Sequence, residues 1–194
     1  MTKSQKGSCF EREFCRILSL WWTEDQSSDV FWRTSGSGAR AKTRSKKGLS
    51  TFGQYGDVQA TDPIGQPLID NVTIELKRGY SAHTAYNTLD KLSGAAEQEW
   101  EKWLGQAKQD SDNAGTPWYW LVTKRDRRQA IIFIPLHLFS SLDYYFNLKT
   151  TVEVLFSLKL NKSPEIVQAM RLDEFLGIIS PNYFTEKGWE IQNG

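Results

Sequence analysis

Val72-Thr73-Ile74-Glu75-Leu76-Lys77 is a run in which apolar and polar residues alternate, with a Gly56-Asp57 step a short way upstream. A period of two marks a half-buried strand: Ile74 and Leu76 turn into a core while Glu75 and Lys77 share the opposite face. An acid and an ammonium are held side by side. Asp57-Val58-Gln59-Ala60 reads as a second short strand, and Asp62-Pro63-Ile64-Gly65-Gln66-Pro67 as the turn joining the two into a hairpin. If Asp57 sits on the neighbouring antiparallel strand, its carboxylate and that of Glu75 can converge on one Mg2+, with Lys77 beside the water that would attack a phosphodiester. A Glu-x-Lys triplet arises by chance about once in a chain of this length, where it is a solvated strand end with a cross-strand charge pair. The rest of the chain has to decide between the two readings.

Upstream, Phe10, Phe14, Ile17, Leu18 and Trp21 recur at helical spacing, with Glu11, Arg12 and Arg16 off the stripe. Ser8 reads as the N-cap of this helix and Glu11 as its capping-box partner. Val30-Phe31-Trp32-Arg33 is a short strand, broken by Thr34-Ser35-Gly36-Ser37-Gly38. Downstream, Ala96, Trp100, Trp103, Leu104 and Ala107 define a second amphipathic helix, which Gly115-Thr116-Pro117 stops. Trp118 to Thr123 and Ala130 to Pro135 are two more strands, joined by a basic tip of Lys124, Arg125, Arg127 and Arg128. Helix, strand, hairpin, helix, strand, strand is the order of an α/β sandwich: a mixed central sheet flanked by helices. The periodic signals fade after Pro135. Residues 135–146 and 172–178 look helical and 151–160 could be strand. Residues 1–135 are expected to form the core, with a basic insertion at 38–55, and residues 136–194 an extension packed on it.

The chain has 194 residues, a length that suits one domain with a real core. Cys9 and Cys15 stand roughly 9 Å apart along a helix, too far for a bridge within it, which fits reduced cytosol. No run approaches the ~20 apolar residues of a membrane span, and the opening residues lack a signal peptide's apolar segment. A soluble, cytoplasmic protein is expected. Net charge is only +1, but Arg33, Arg40, Lys42, Arg44, Lys46 and Lys47 follow one another with no acid among them. That stretch reads either as a basic loop tracking a phosphate backbone or as a solvated loop. The eight tryptophans are assigned to the core. His83 and His137 show no metal-ligand spacing, and no Walker loop or dinucleotide fingerprint is present.

These residues in this order resemble the PD-(D/E)XK nuclease superfamily, and within it the archaeal-type Holliday junction resolvases. Lys6-Gly7-Ser8-Cys9-Phe10-Glu11-Arg12-Glu13 is similar to that family's Lys-Gly-x-x-x-Glu-Arg-Glu opening, and Arg33-Thr34-Ser35-Gly36-Ser37 to its Arg-Ser-x-Gly-Ser element. Gly56-Asp57 and Ile74-Glu75-Leu76-Lys77 follow, and Trp103-Leu104-Gly105-Gln106-Ala107 ahead of a Pro-Trp strand resembles the next segment. The match covers roughly residues 6–135. It implies that Asp57, Glu75 and the Leu76 carbonyl hold Mg2+, with Mn2+ able to substitute, and that Lys77 orients or activates the water. It further implies that Glu11 completes or positions the site and that Ser37 contacts the scissile backbone. Gln106 is either the helix glutamine of relatives, placed among the DNA contacts with Arg33 and the basic insertion, or a solvated glutamine. Glu13, about 200° around the helix from Glu11, is the lesser substitute, only one of the two facing the sheet. DNA is the implied substrate and a homodimer the implied assembly.

Two departures stand out. The insertion at 38–55 separates elements that lie close together in the resolvases, and Gly56 stands where proline is usual. The insertion could be a flap over branched DNA, or could mark a phage or restriction-like endonuclease acting on duplex DNA. A non-catalytic DNA-binding module on the same scaffold and an RNA nuclease are the remaining alternatives.

Overall fold

Phe10, Phe14, Leu18 and Trp22 recur every fourth residue, and in the computed structural model they form the buried side of α1 (Lys3–Trp22), packed on β1 (Phe31–Arg33) and β3 (Val72–Arg78). The structure describes residues 3–34, 55–79, 87, 90, 92, 95–159 and 165–187. Ser37, Arg40, Lys42, Arg44, Lys46 and Lys47 lie outside the described residues. The first helix starts at Lys3, not at Ser8. The Ser8 hydroxyl instead accepts a hydrogen bond from Arg33 Nη1 at 2.9 Å, so the Ser8–Glu11 pair that imitates a capping box serves a tertiary contact. Lys3, Gln5 and Lys6 are good helix formers, and nothing before Ser8 forces a stop.

β2 (Val58–Ala60) pairs with β1, antiparallel, from Phe31 opposite Ala60 to Arg33 opposite Val58. The hairpin expected between residues 57 and 77 does not form. Its supposed turn is a 3-10 turn at Pro63–Gly65 followed by a short helix, α2 (Gln66–Asn71), which runs directly into β3. The sequence signals were real and meant something else: Asp62 accepts a hydrogen bond from the Ile64 N–H at 2.9 Å as an N-cap, and both segments carry proline in their first turn, where a missing N–H costs nothing.

The main sheet has the order β3, β4 (Trp118–Lys124), β5 (Ala130–Pro135), β7 (Ile166–Arg171), β6 (Phe156–Lys159). β3 and β4 are parallel, joined by a crossover that contains α3 (Glu99–Ala114); every other pairing is antiparallel. α3 ends at Gly115, which takes the left-handed conformation at φ 73° that stops a helix without strain. After residue 135 come α4 (Leu136–Phe146), the single turn α5 (Leu148–Thr151) and, beyond β7, α6 (Leu172–Ile178) and a π-helical turn at Tyr183–Lys187. β7 lies between β5 and β6, so the sheet runs on through the part of the chain where periodic signals fade. Of the described tryptophans, Trp22, Trp100, Trp103, Trp118 and Trp120 are buried; Trp32 is an exception, 45% exposed on β1. No described helix is long and apolar enough to cross a membrane.

Candidate active site

β3 is an edge strand, and its outer edge is met by Gly56-Asp57 rather than by a full strand. The Asp57 N–H donates to the Ile74 carbonyl at 2.7 Å, and the Leu76 N–H donates to Asp57 Oδ2 at 2.8 Å. One backbone bond and one side-chain bond thus fix the carboxylate against β3. Within a strand the N–H and C=O of one residue point to the same edge, so the Leu76 carbonyl shares the edge where Asp57 sits. Gly56 permits the approach: its φ is 75°, and a Cβ there would lie 2.8 Å from the Ile74 carbonyl oxygen. Any side chain would push the Asp57 loop off the strand.

Glu75 and Lys77 share one face of β3, as the alternation requires, and are ion-paired. Ile74 and Leu76 enter the core on the other face. Gln106, on α3, donates from Nε2 to Glu75 Oε1 at 3.1 Å, and Lys77 donates to the same oxygen. Glu75 is only 4% exposed. Burial foremost, then the Asp57 carboxylate, hold its pKa well above the usual carboxylate range against the opposing pull of Lys77. Asp110, one turn beyond Gln106 on α3, adds a further negative charge felt by Glu75. The sequence reading missed Asp110, although its i,i+4 spacing from Gln106 places both on one side of the helix.

Glu11 accepts from Arg33 Nη1 at 3.3 Å, which ties α1 to β1 beside the Ser8 contact. Arg33, expected to meet DNA, is therefore partly committed to an internal pair and keeps 39% of its side chain exposed. Buried Cys15 lies close enough to report on this region: burial, then Glu11 and Asp57, push its thiol pKa up to about 12. Glu13 does not lie idle on the far side of α1. It pairs with Lys124 at 2.7 Å and with Arg78 at 3.5 Å, because those long side chains reach it from the ends of β4 and β3. Both acids of α1 thus engage strand residues, at separate places.

The donor set that could hold an ion is oxygen-only: Asp57, Glu75 and the Leu76 carbonyl. Mg2+ suits such a set, since it binds through one or two carboxylates and keeps waters or phosphate oxygens as its other ligands. Among the described residues no cluster of three or more His, Cys, Asp or Glu side chains comes together. Two carboxylates whose repulsion raises the proton affinity of one of them form a site that a cation would relieve. The residues fit a divalent metal.

The profile of a family described as "Phage putative PDDEXK endonuclease" matches residues 2–186, which includes the part after residue 135 that the resolvase resemblance left without a counterpart. No curated protein and no solved structure matches the chain. With nearly its whole length matched, and with an α/β core whose mixed sheet carries Glu75 and Lys77 on its edge strand β3, where Asp57 meets it, the chain belongs to the phage PDDEXK endonuclease family of the PD-(D/E)XK superfamily.

Proposed function

We propose that this protein is a Mg2+-dependent endodeoxyribonuclease that hydrolyses phosphodiester bonds of duplex DNA. The observation that carries the reading is the meeting of Asp57 with the edge of β3 at Leu76, beside the Glu75–Lys77 pair. Asp57, Glu75 and the Leu76 carbonyl would hold the ion. When bound, the ion supplies positive charge to the scissile phosphate and acidity to a coordinated water. Lys77, held on the Glu75 side of the strand, orients the attacking water and offsets charge on the phosphate. Gln106 keeps Glu75 Oε1 engaged, which orients the carboxylate. Glu11, steadied by Arg33, positions the far side of the site. The products are a 5′-phosphate and a 3′-hydroxyl, with no covalent intermediate. Ser37 and the basic residues Arg40, Lys42, Arg44, Lys46 and Lys47 would contact the DNA backbone.

The duplex reading takes precedence over junction resolution because the matched family is a phage endonuclease family. Junction selectivity by a homodimer is the narrower form, supported by the order of the four motifs. Linear duplex, four-way junction, fork, single strand and RNA, each with Mg2+ or Mn2+, separate these readings. Duplex cleavage that disappears in Lys77→Ala is the expected result. No cleavage of any substrate, or cleavage unchanged in Lys77→Ala, sinks the nuclease reading. A junction cut far faster than the duplex, by a protein that sediments as a dimer, restores the narrower form.

A further inference from the structure

From Lys77 a single row of opposed residues crosses the sheet: Lys77 pairs with Thr123, Thr123 with Ile131, and Ile131 with Arg171. Directly opposed side chains share a face, so this row continues the face that carries Glu75 and Lys77. Strands lie about 4.8 Å apart, which sets Ile131 roughly 10 Å from Lys77. There the face opens. α3 covers it as far as Trp100, and beyond lies a cavity of about 410 Å³ floored by Ile131, Phe133 and Ala169, with Trp100 as one wall and Val154 at its edge. Trp100 and Phe133 meet with ring centroids 4.8 Å apart and ring planes tilted by 50°, so two aromatic rings line this side of the cavity.

The mouth is basic. Arg125 and Arg128 line it, and neither makes an ion pair among the described residues. Three other cations nearby are ion-paired: Lys124 with Glu13, Arg78 with Glu13 and Asp126, Arg171 with Glu153 and Glu174. Two unpaired guanidiniums over an apolar, aromatic-walled floor suit a ligand with an anionic end and a flat body. The cavity is in the size range that takes a small organic molecule whole.

We infer that this cavity holds a nucleobase turned out of the DNA stack, from a nucleotide adjoining the one being cut, with its backbone phosphate at Arg125 and Arg128. The inference rests on the endonuclease reading for its ligand, and on the shared sheet face and the basic mouth for its place. A base gains stacking on Trp100 and burial on Ile131 and Phe133, which offsets the loss of its pairing. The guanidiniums bind backbone without regard to sequence. Such a pocket would favour sites where a base is already unpaired.

The test compares two duplexes that share a single central bulged nucleotide, normal in one and abasic in the other, binding being read by fluorescence anisotropy without divalent metal. Their backbones are alike and only the base differs. The full-length protein is expected to bind the base-bearing bulge about tenfold more tightly. Val154→Trp, which fills the cavity from an exposed position, and Trp100→Ala, which removes the wall, should each erase the difference while abasic binding stays. Arg125→Ala with Arg128→Ala should weaken both duplexes alike and flatten the salt dependence. Equal binding of the two duplexes by the unmodified protein, or a difference that survives Val154→Trp, overturns the pocket. Duplex cleavage with Mg2+ is scored separately. Cleavage without base-dependent binding sinks the pocket alone, and base-dependent binding without cleavage sinks the nuclease reading alone.

Discussion

One face of the five-stranded sheet carries Val72, Ile74 and Leu76 of β3, Trp118, Trp120 and Val122 of β4, and Ile132 and Ile134 of β5, packed under α1, α4 and α6. The other carries Tyr119, Leu121 and Phe133 under α3, but also Thr73, Glu75, Lys77, Thr123 and the open cavity. Alternate residues of the same strands feed both faces, so the division is made one side chain at a time. The first face is closed and almost wholly apolar, with Trp120 surrounded by Trp21, Phe175 and Phe184. The second face keeps a buried carboxylate in a raised-pKa state, at a cost in stability that the first face has to cover. Stability and chemistry have been separated across a single layer of backbone.

The largest expected effects break this division in opposite ways. Trp120→Ala should cost about 3–5 kcal/mol of stability, since Trp120 is fully buried among other rings, with any activity lost only through unfolding. Lys77→Ala should lower cleavage by on the order of 10²–10⁴-fold while the denaturation midpoint barely moves. Denaturant melts paired with single-turnover cleavage read both. If Lys77→Ala unfolds the protein, or Trp120→Ala leaves its midpoint unchanged, the two faces do not divide the labour as described.

A pH series sharpens the same contrast. Glu75 has its pKa pushed up from an ordinary 4.5 to about 7, by burial first and Asp57 second. The folded state therefore holds a proton that the unfolded chain has released. Glu75 is neutral in both states below about pH 4.5; stability falls as pH rises from there through 7 and is level above, a loss on the order of 3 kcal/mol. Glu75→Gln should remove this slope, raise metal-free stability at pH 8, and abolish cleavage. Saturating Mg2+ should flatten the slope in the unsubstituted protein, because an ion can take the proton's place. A metal-free midpoint that does not fall between pH 5 and 8 rules this account out.

How much of this could be read from the sequence follows from which residues have one environment and which have two. β3 was legible at its decisive positions because Ile74 and Leu76 meet the core while Glu75 and Lys77 meet the site, so the alternation in space is written in the sequence. The motif order singled out Gln106 without fixing its role, and its amide donates to Glu75. β7 was not legible, because Val167, Gln168, Ala169 and Met170 are buried on both faces between β5 and β6 and so show no period of two. The stretch between Asp57 and β3 misled because Asp62, Pro63 and Pro67 mark helix starts as well as turns, and only the three-dimensional course of the chain separates the two. Asp57 still reached β3, by a route no hairpin rule describes.

Gln106 supplies the smallest effect and the finest test of the comparison, because it is a polar residue on the helix whose apolar side, Trp103, Leu104 and Ala107, closes the second face. A neutral amide donating to Glu75 Oε1 favours the charged carboxylate, so Gln106→Leu should raise the Glu75 pKa further and shift the stability slope to higher pH. The lost hydrogen bond is worth about 1 kcal/mol, and the added apolar surface on α3 offsets part of it, so the midpoint should move little. Mg2+ binding should weaken about 10-fold or more, as it does when a group that orients a metal ligand is removed, with cleavage recovering at high Mg2+. Isothermal titration at pH 8 measures the affinity, and cleavage against Mg2+ concentration the recovery. Unaltered affinity would mean that Gln106 only fills space beneath α3, and that the chemical face begins at β3 itself.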